Sequence, residues 1–591
     1  MTNDSRCLSD AVPGAMRWYG WGSEAHSFDP KDRPGFWPYA AKHLGINASE
    51  PRWRPIDPAD IALPRARVDE AFFNWLRATF SPACWSNAAE DRLRHATGRS
   101  TGDIWRLRLG LIDAAPDCVV FPRSEREVAQ LIAAAKRFGV VLIPFGGGSN
   151  VAGCLEPTDR RGRVIISVDL RLMNRVLDID PISGVVHAEA GILGPVLEAA
   201  LERFGFTLGH FPDSFLYSTL GGWVATRSSG MLSDAYGNIE DMVVGMRVLT
   251  PAGVLDTRPL PHASNGPDVK RLVIGSEGTL GIITSLTMRV RPRPAVREFR
   301  GYLFPTFEAG IEAIRDTAQH GIYPATSRLN DPSKTQLSSA FRRGGTGALA
   351  AGLERLFKLG LTHVKGIDLV QSSLMIGVFE GDLSQVRAQR TAAERVWRRH
   401  GAIGLGKGPG RAQEDSKFDL PYVRDFLLDY NVIVDVAETS ALWKNVPFVY
   451  RLLMQRTRAA LQAGGRAAWL GCHISHCYSS GASLYFTFAF RCRTGADGRI
   501  DRSAELAHYR SVKTDLLDGF AECGCTLSHH HAVGREHLKW LRAETAIGEV
   551  MPVAALKSAI DPDAIMNPGK LVWDATDEAS RGVLETAPLR S

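Results

Sequence analysis

The stretch Val140-Val-Leu-Ile-Pro-Phe-Gly-Gly-Gly-Ser-Asn-Val151 decides the fold of this chain. Its first half is apolar and rich in β-branched residues, which is typical of a buried strand. The strand ends in three consecutive glycines, which let the backbone approach a ligand closely and aim successive N–H groups at one point. Such a turn binds an anion, most often a phosphate, although a glycine triplet is also compatible with a plain tight loop.

A second strand is predicted upstream, at Asp117–Pro122, and a helix follows it. Ser124 and Glu127 have the spacing of a capping box, and the helical pattern continues to Gly139. Strand, helix, strand and glycine loop together make a phosphate-binding βαβ unit. The loop lacks the third glycine of the dinucleotide fingerprint, since Val151 stands there, and the Gly-Lys-Ser/Thr of a P-loop.

Length and composition indicate a soluble globular protein of two or three domains. The chain has 591 residues, of which 45% are hydrophobic and 23% charged. No apolar run reaches the roughly 18 residues of a membrane span, and the N-terminus lacks the layout of a signal peptide. A net charge of +6 suits an anionic small substrate or a lipid surface, and it is too diffuse to indicate nucleic-acid binding. Nine cysteines without framework spacing favour a reducing compartment.

The succession of strands, helices and glycines predicts an α+β protein in five parts. They are an N-terminal helical or irregular segment (1–105), a strand-rich domain (106–295), a second α+β domain (296–520), a C-terminal segment (521–575) and a disordered tail (576–591). The aromatic Arg17–Gly22 is interpreted as a packed turn rather than an interaction element. Further strands are predicted at Arg163–Leu170, Gly184–Gly191, Asp241–Thr250, Leu374–Glu380 and Ala482–Phe490. Further helices are predicted at Gly194–Gly205, Phe307–His320, Ser384–His400 and Val446–Ala463.

Three more motifs follow the glycine triplet in the first of these domains. They are Pro212-Asp-Ser214, Leu220-Gly-Gly222 and Gly275-Ser-Glu-Gly-Thr-Leu-Gly281. In this order the four motifs resemble the FAD-binding domain of the vanillyl-alcohol-oxidase superfamily. The resemblance implies FAD contacts at Pro144, Gly146, Gly147, Gly148, Ser149, Asn150, Pro212, Asp213, Ser214, Thr219, Gly222, Thr226, Glu277, Thr279 and Ile283. Some members bond FAD to a histidine just after the loop, but Val151–Cys154 contains none, so we expect non-covalent FAD.

Reactive side chains concentrate in two later segments, Cys472–Gly481 and Cys523–Gly534. Cysteines and histidines at these spacings suggest zinc, but Cys472 and Cys477 stand farther apart than in the common zinc knuckle. Strand alternation would also turn neighbouring ligands to opposite faces, and we therefore predict no metal. Histidines clustered beside a flavin are better suited to proton transfer. A solvated histidine loop, and simple packing of Tyr478, are the alternatives.

With the motifs Arg17–Gly22, Thr326–Arg328, Glu438–Trp443, Tyr478–Gly481 and Ser528–His531, the chain resembles the alkyldihydroxyacetonephosphate synthase family over residues 14–575. The resemblance implies exchange of the acyl chain of acyl-dihydroxyacetone phosphate for a fatty alcohol, through a flavin N5 adduct and without net oxidation. It implies phosphate binding by Arg328, and it places Ser440 and His210 near substrate and flavin. Proton transfer at the substrate C1 is implied for Tyr478, His529, His530 and His531. We expect a homodimer.

The segment Asp561–Lys570 also resembles the tail of flavin-dependent D-lactate and glycolate dehydrogenases. A 2-hydroxy acid dehydrogenase or oxidase is therefore the alternative function. Two sites weigh against it, because Cys477–Gly481 replaces the Gly-Asp-Gly-Asn-Leu-His of those enzymes and His530-His531 replaces their Glu-His.

A lipid substrate raises the question of membrane contact. The segment Phe341–Lys365 carries five basic residues against one acid, Glu354, and a series of leucines. It is interpreted either as a peripheral contact with an anionic bilayer or as a lid or core helix. Neither the Arg-Leu-x₅-His-Leu nor the C-terminal Ser-Lys-Leu type of peroxisomal address is present, so we expect a cytoplasmic protein.

Overall fold

The computed structural model describes residues 14–159, 161–344, 368–495, 497–545 and 547–571. Within these ranges the chain forms eighteen strands, numbered in chain order. They are β1 (Trp85–Ser86), β2 (Cys118–Val120), β3 (Val141–Phe145), β4 (Ile165–Asp169), β5 (Val176–Asp180), β6 (Val185–Glu189), β7 (Phe206–Thr207), β8 (Val243–Thr250), β9 (Gly253–Thr257), β10 (Ile282–Arg289), β11 (Arg291–Pro292), β12 (Val296–Phe304), β13 (Thr326–Asn330), β14 (Ser373–Gly381), β15 (Ile403–Gly406), β16 (Val432–Leu442), β17 (Ala468–Cys477) and β18 (Gly481–Arg491).

The α-helices of the described residues cover the faces and ends of the sheets. They are Phe36–Leu44, Glu70–Thr79, Ala89–Arg94, Thr101–Leu109, Glu125–Phe138, Gly194–Glu202, Leu220–Ala225, Ser233–Tyr236, Ile239–Met242, Val269–Val273, Phe307–Gln319, Pro332–Ala340, Leu383–Arg399, Gly408–Asp415, Leu420–Asp429, Val446–Gln462, Arg502–Glu522, Leu538–Glu544 and Ile547–Ile560. None of the helices in the described ranges has the length and apolar character to cross a membrane.

The glycine loop follows a strand of a small, mainly parallel sheet, as predicted. This sheet has the order β1-β2-β4-β3, in which β2, β4 and β3 run parallel. The crossover helix Glu125–Phe138 begins with the Ser124 side chain accepting the N–H of Glu127 and ends at Gly139, whose φ is 66°. The capping box is one-sided, because the Glu127 carboxylate accepts the N–H of Arg123 instead of that of Ser124.

A second, antiparallel sheet completes the first domain, with the order β5-β6-β10-β8-β9. The strand predicted at Asp241–Thr250 lies here and forms a hairpin with β9, since Thr250 pairs with Gly253. The predicted start of its first strand was wrong: Asp241 belongs to the helix Ile239–Met242 and accepts the N–H of Asn238, so the strand begins only at Val243. The helix predicted to reach Gly205 ends at Glu202.

The second domain is built on a seven-stranded antiparallel sheet with the order β15-β12-β14-β13-β17-β18-β16. Its predicted helices and strands agree with the structure to within one residue at each end. The segment Cys472–Gly481 overlaps two strands, because Cys472–Cys477 forms the second half of β17 and β18 begins at Gly481. Tyr478 then stands at the turn between β17 and β18, where its N–H donates to the carbonyl of Gly481 at 2.8 Å.

The two chain ends of the described region pack into these domains. The core of the first domain includes Phe72 from the N-terminal segment together with Leu142 of β3 and Met566. Leu142 donates its N–H to the carbonyl of Ile565 and accepts the N–H of Asn567, at 2.8 and 2.9 Å. The predicted aromatic turn Arg17–Gly22 is packed as expected, with Trp21 3% exposed. Most of Phe341–Lys365, and all of the predicted tail, lie outside the described residues.

Candidate active site

The glycine loop lies close to the segment that follows Pro212–Ser214. A Cβ at Gly147 would lie 1.6 Å from the carbonyl oxygen of Tyr217, and one at Gly146 would lie 2.3 Å from Thr219 Oγ1. Gly148 has a φ of +70°, which side-chain-bearing residues rarely adopt. In the described part of the chain, the N–H groups of residues 146–149 donate to no protein acceptor. A row of unpaired N–H groups fits a bound diphosphate.

A single large cavity of about 1620 Å³ joins this loop to the seven-stranded sheet. Most residues that were predicted to bind cofactor or substrate line it. They are Pro144, Gly146, Gly147, Gly148, Ser149, Asn150, Pro212, Asp213, Ser214, Thr219, Gly222, Thr226, Glu277, Ile283, Arg328, His530 and His531.

Five predicted residues lie behind the cavity wall: Thr279, His210, Ser440, Tyr478 and His529. Thr279 Oγ1 donates to the carbonyl of Ser276 and so shapes the turn that carries Glu277. His210 is buried with its Nε2 2.8 Å from Ser228 Oγ, and burial lowers its pKa to about 3. Ser440 pairs with Ser483 across β16 and β18.

The sheet presents a row of polar side chains to the cavity. The register pairs Asn330 with His473, His473 with Tyr485, and Tyr485 with Glu438, across the four neighbouring strands β13, β17, β18 and β16. All four residues line the cavity. His476 joins them three residues after His473, because the register of β17 shifts between Ile474 and Cys477. Adjacent residues do alternate as expected, since His473 lines the cavity whereas Cys472 lies in the hydrophobic core.

Glu438 organises the histidine loop. Its side chain is buried, and Oε1 accepts the backbone N–H groups of His529, His530 and His531 at 2.9, 2.7 and 3.0 Å. Its Oε2 lies 3.1 Å from His530 Nδ1. One carboxylate therefore fixes three consecutive backbone groups and a ring of the same loop.

Four histidines of this site differ in the direction of their pKa shifts. Burial lowers the pKa of His476, His529 and His531 to about 3, so these rings are neutral near pH 7. Burial acts on His530 too, but the Glu438 carboxylate outweighs it and raises the pKa of His530. The nearby imidazoles in turn hold the pKa of Glu438 well below its usual range, despite its burial. His530 is thus the one of these four histidines whose charged form is favoured, and it lies on the cavity wall.

Tyr478 reaches the cavity through two histidines. Its hydroxyl lies 2.5 Å from His529 Nε2, and His529 Nδ1 lies 2.8 Å from His530 Nδ1. Neutral His529 carries one ring proton, so it donates one of these two hydrogen bonds and accepts the other. A proton that enters His529 at one nitrogen therefore releases a proton from the other. Tyr478, His529 and His530 therefore form a hydrogen-bonded chain that ends at the cavity.

The sequence did not single out Glu438, Lys334, His476 or Tyr485 as site residues. Glu438 and Tyr485 were quoted only as parts of motifs, and their role depends on the pairing of distant strands. His476 stood in the segment that was read for zinc. Among the described residues, histidines of this site and Glu438 form two groups that are close enough to share a metal ion. Neither group of described residues contains a cysteine.

Comparison with known proteins agrees with this geometry. Residues 116–257 match the family of FAD binding domains, and residues 293–571 match the C-terminal domain of FAD linked oxidases. The expected FAD cofactor and the expected type of FAD-binding fold are thereby confirmed.

Two curated relatives carry the same name. The alkyldihydroxyacetonephosphate synthase of Trypanosoma brucei brucei is 38% identical over 511 residues, which cover 86% of this chain and 82% of that protein. The enzyme of that name from Dictyostelium discoideum is 38% identical over 510 residues, with the same two coverages.

A solved structure supports the same relationship. It is an alkyldihydroxyacetonephosphate synthase that is 33% identical, with a TM-score of 0.78 over 94% of this chain and 99% of its own. The predicted resemblance is confirmed, and the chain belongs to the alkyldihydroxyacetonephosphate synthase family.

Proposed function

We propose that this protein exchanges the acyl chain of acyl-dihydroxyacetone phosphate for a fatty alcohol, as an FAD-dependent alkyldihydroxyacetonephosphate synthase. One observation carries the proposal: a single cavity joins the glycine loop of the FAD domain to Arg328 and to the histidines of the seven-stranded sheet. The flavin, the substrate phosphate and the acid–base side chains would therefore share one cavity.

Arg328 is suited to the phosphate of the substrate. It stands on β13 and lines the cavity, and its Nε is buried without a hydrogen-bond partner in the described residues. An arginine guanidinium matches the geometry of a phosphate, because it offers several N–H donors in one plane. A bound phosphate would give this group the partner that the protein does not provide.

The exchange releases a fatty carboxylate and takes up an alcohol. One group must therefore neutralise the leaving carboxylate, and one must accept the hydroxyl proton of the alcohol. FAD bound at the glycine loop would supply the covalent chemistry of the exchange at its N5. Charged His530 on the cavity wall neutralises the carboxylate, and the relay through His529 to Tyr478 takes up and returns protons.

The same cavity has an apolar part suited to the alkyl chains. Phe36, Leu44, Leu337 and Phe341 contribute to its lining, and the rings of Phe36 and Phe341 lie 5.2 Å apart. Burial of the chain against such side chains is favourable at about 0.8 kcal/mol for each CH₂ group.

An anaerobic experiment tests the proposed reaction. The FAD-loaded enzyme is mixed with palmitoyl-dihydroxyacetone phosphate and hexadecanol, and the products are analysed by mass spectrometry while flavin absorbance is recorded. We expect an ether product without lasting bleaching of the flavin, and no product from Arg328→Met. Lasting bleaching by D-lactate, without an ether product from the first mixture, would instead identify a 2-hydroxy acid dehydrogenase.

We further propose a cytoplasmic homodimer with a peripheral membrane contact. The lipid substrate and the basic composition of Phe341–Lys365 support the contact, and two basic residues of that segment, Arg342 and Arg343, line the cavity. Co-sedimentation with anionic liposomes tests it, because Arg342→Glu/Arg343→Glu should pellet less than wild type. Equal pelleting of wild type and variant would contradict the proposed membrane contact. A monomer mass in light scattering would contradict the proposed homodimer.

A further inference from the structure

Lys334 places a second cation on the cavity wall near Arg328. It belongs to the helix Pro332–Ala340 and is only 7% exposed, yet it lines the cavity. Its stem passes Gly471 of β17, where a Cβ would lie 2.8 Å from Lys334 Cγ. Glycine at this position leaves room for the lysine to reach the cavity.

The ammonium group has more donors than the protein uses. Lys334 Nζ lies 2.9 Å from His473 Nδ1 and 5.4 Å from the centre of the Tyr485 ring. Burial keeps the pKa of His473 well below its usual range, so His473 is neutral and its Nδ1 accepts this hydrogen bond. An ammonium has three N–H donors, and a single imidazole satisfies one of them.

In the described part of the chain, the positive charges of Lys334 and Arg328 on the cavity wall are not balanced by ion pairs. Among the described residues, no carboxylate oxygen lies within 4.0 Å of Lys334 Nζ or of the Arg328 guanidinium. The carboxylates whose charge acts on Lys334 are Asp331 and Asp213. Asp213 also lines the cavity, and Asp331 accepts the backbone N–H of Lys334 and the hydroxyl of Tyr450. Burial raises the pKa of both acids, which weakens them as permanent counter-charges.

The protonated lysine is correspondingly destabilised in the absence of an anion. Burial, followed by the nearby Arg328 guanidinium, lowers the pKa of Lys334 to about 7. A dianion placed between the two cations would reverse both effects, because it would accept hydrogen bonds and offset their mutual repulsion.

We propose that Lys334 and Arg328 together bind the phosphate of the substrate, and that Lys334 determines the preference for a phosphorylated over an unphosphorylated headgroup. The inference rests on the proposed function, in which Arg328 is the only side chain assigned to bind the substrate phosphate. Arg328 provides planar donors and Lys334 a mobile point charge, so the two cations suit different oxygens of one phosphate.

Direct binding tests the inference without turnover. The FAD-loaded protein is titrated with dihydroxyacetone phosphate and with dihydroxyacetone by calorimetry, in wild type, Lys334→Met and Lys334→Arg. A charged hydrogen bond of this kind corresponds to about 10- to 100-fold in affinity. We expect Lys334→Met to lose about that factor for the phosphorylated ligand only. Lys334→Arg, which keeps the charge, should retain most of the affinity.

Turnover supplies the second readout. With acyl-dihydroxyacetone phosphate, Lys334→Met should raise KM much more than it lowers kcat. Lys444→Met, at an exposed lysine, is the matched control and should behave like wild type in both assays. Flavin content and melting temperature show whether each variant is folded, and Lys334→Gln replaces Lys334→Met if the latter does not fold.

The outcomes separate the inference from the proposed function. Wild type that binds dihydroxyacetone phosphate tightly but makes no ether product would overturn the function and leave the site standing, provided that Lys334→Met weakens this binding. Ether synthesis with unchanged KM and unchanged binding in Lys334→Met would overturn the inference alone. Equal wild-type affinity for the phosphorylated and unphosphorylated ligands would overturn it too.

Discussion

Glu438 holds His530 at both its backbone and its ring, with Oε1 2.7 Å from the His530 nitrogen and Oε2 3.1 Å from Nδ1. The contact with the backbone nitrogen positions the His530 residue, and the contact with Nδ1 favours the protonated form of its ring. A neutral acceptor in place of this carboxylate would preserve the first contact and remove the second. The two effects can therefore be separated by mutation.

Glu438→Gln should lower activity near neutral pH by about 100-fold, the usual contribution of a positioned acid or base. The carboxylate raises the pKa of His530, and its removal lets that pKa fall. Since the proposed chemistry needs charged His530, activity is lost as pH rises through this pKa. The alkaline limb of the kcat/KM profile should therefore move to lower pH in the variant.

Glu544→Gln is the control for this change. Glu544 accepts the N–H of Leu527 at 2.9 Å, close to the same loop, but it does not contact the histidines. Its pH profile should match that of wild type. A Glu438→Gln profile that keeps its alkaline limb in place would show that Glu438 does not set the charge of His530.

Tyr478→Phe should abolish most turnover while leaving the protein folded and yellow. The substitution removes the hydroxyl that lies 2.5 Å from His529 Nε2 but keeps the ring. We expect a loss of at least about 100-fold in kcat, because the relay then ends at His529. Stopped-flow and steady-state rates measure the loss, and Tyr19→Phe, at a tyrosine bonded to Glu24, is the control. Wild-type rates in Tyr478→Phe would exclude the relay.

Gly147→Ala should yield protein with little or no FAD. The added methyl group would lie 1.6 Å from the carbonyl oxygen of Tyr217, so the loop must move away from the segment that carries Thr219. The ratio of flavin to protein absorbance measures the loss. Gly404→Ala is the matched control, because a Cβ there has no heavy atom within 4 Å. Normal flavin content in Gly147→Ala would contradict the role of this loop.

Acid precipitation should release all FAD into the supernatant. Cys154 is the cysteine nearest in sequence to the glycine loop, and it lines the cavity. Burial, together with the Glu277 carboxylate, raises the pKa of its thiol well above the usual value, which keeps it unreactive. A yellow pellet would indicate a covalent bond and contradict this prediction.

The sequence allowed prediction of those features that depend on neighbouring residues. The helix Glu125–Phe138, the strand β3 and the glycine loop were predicted because capping, periodicity and glycine content are local signals. The FAD-binding fold followed from four such loops in one order. The helix Ile239–Met242 was missed because four residues are too few to show a helical period and they run directly into the strand that begins at Val243.

The candidate site depends on pairings that no local pattern contains. Glu438 meets the histidine loop across 92 residues, and Lys334 meets His473 across 139 residues. His473 and His476 share the cavity only because of the irregularity in β17. A regular strand would turn residues three apart to opposite faces, so periodicity alone could not bring these two histidines together.

The hydrogen bond from Asn567 Nδ2 to the carbonyl of Cys154 spans 413 residues, and a second bond from the same amide reaches the carbonyl of Glu277. The ribosome must therefore add those 413 residues before Asn567 can form its hydrogen bond beside the glycine loop. Nascent chains halted within the second domain should emerge colourless, and cofactor loading belongs to the final stage of maturation.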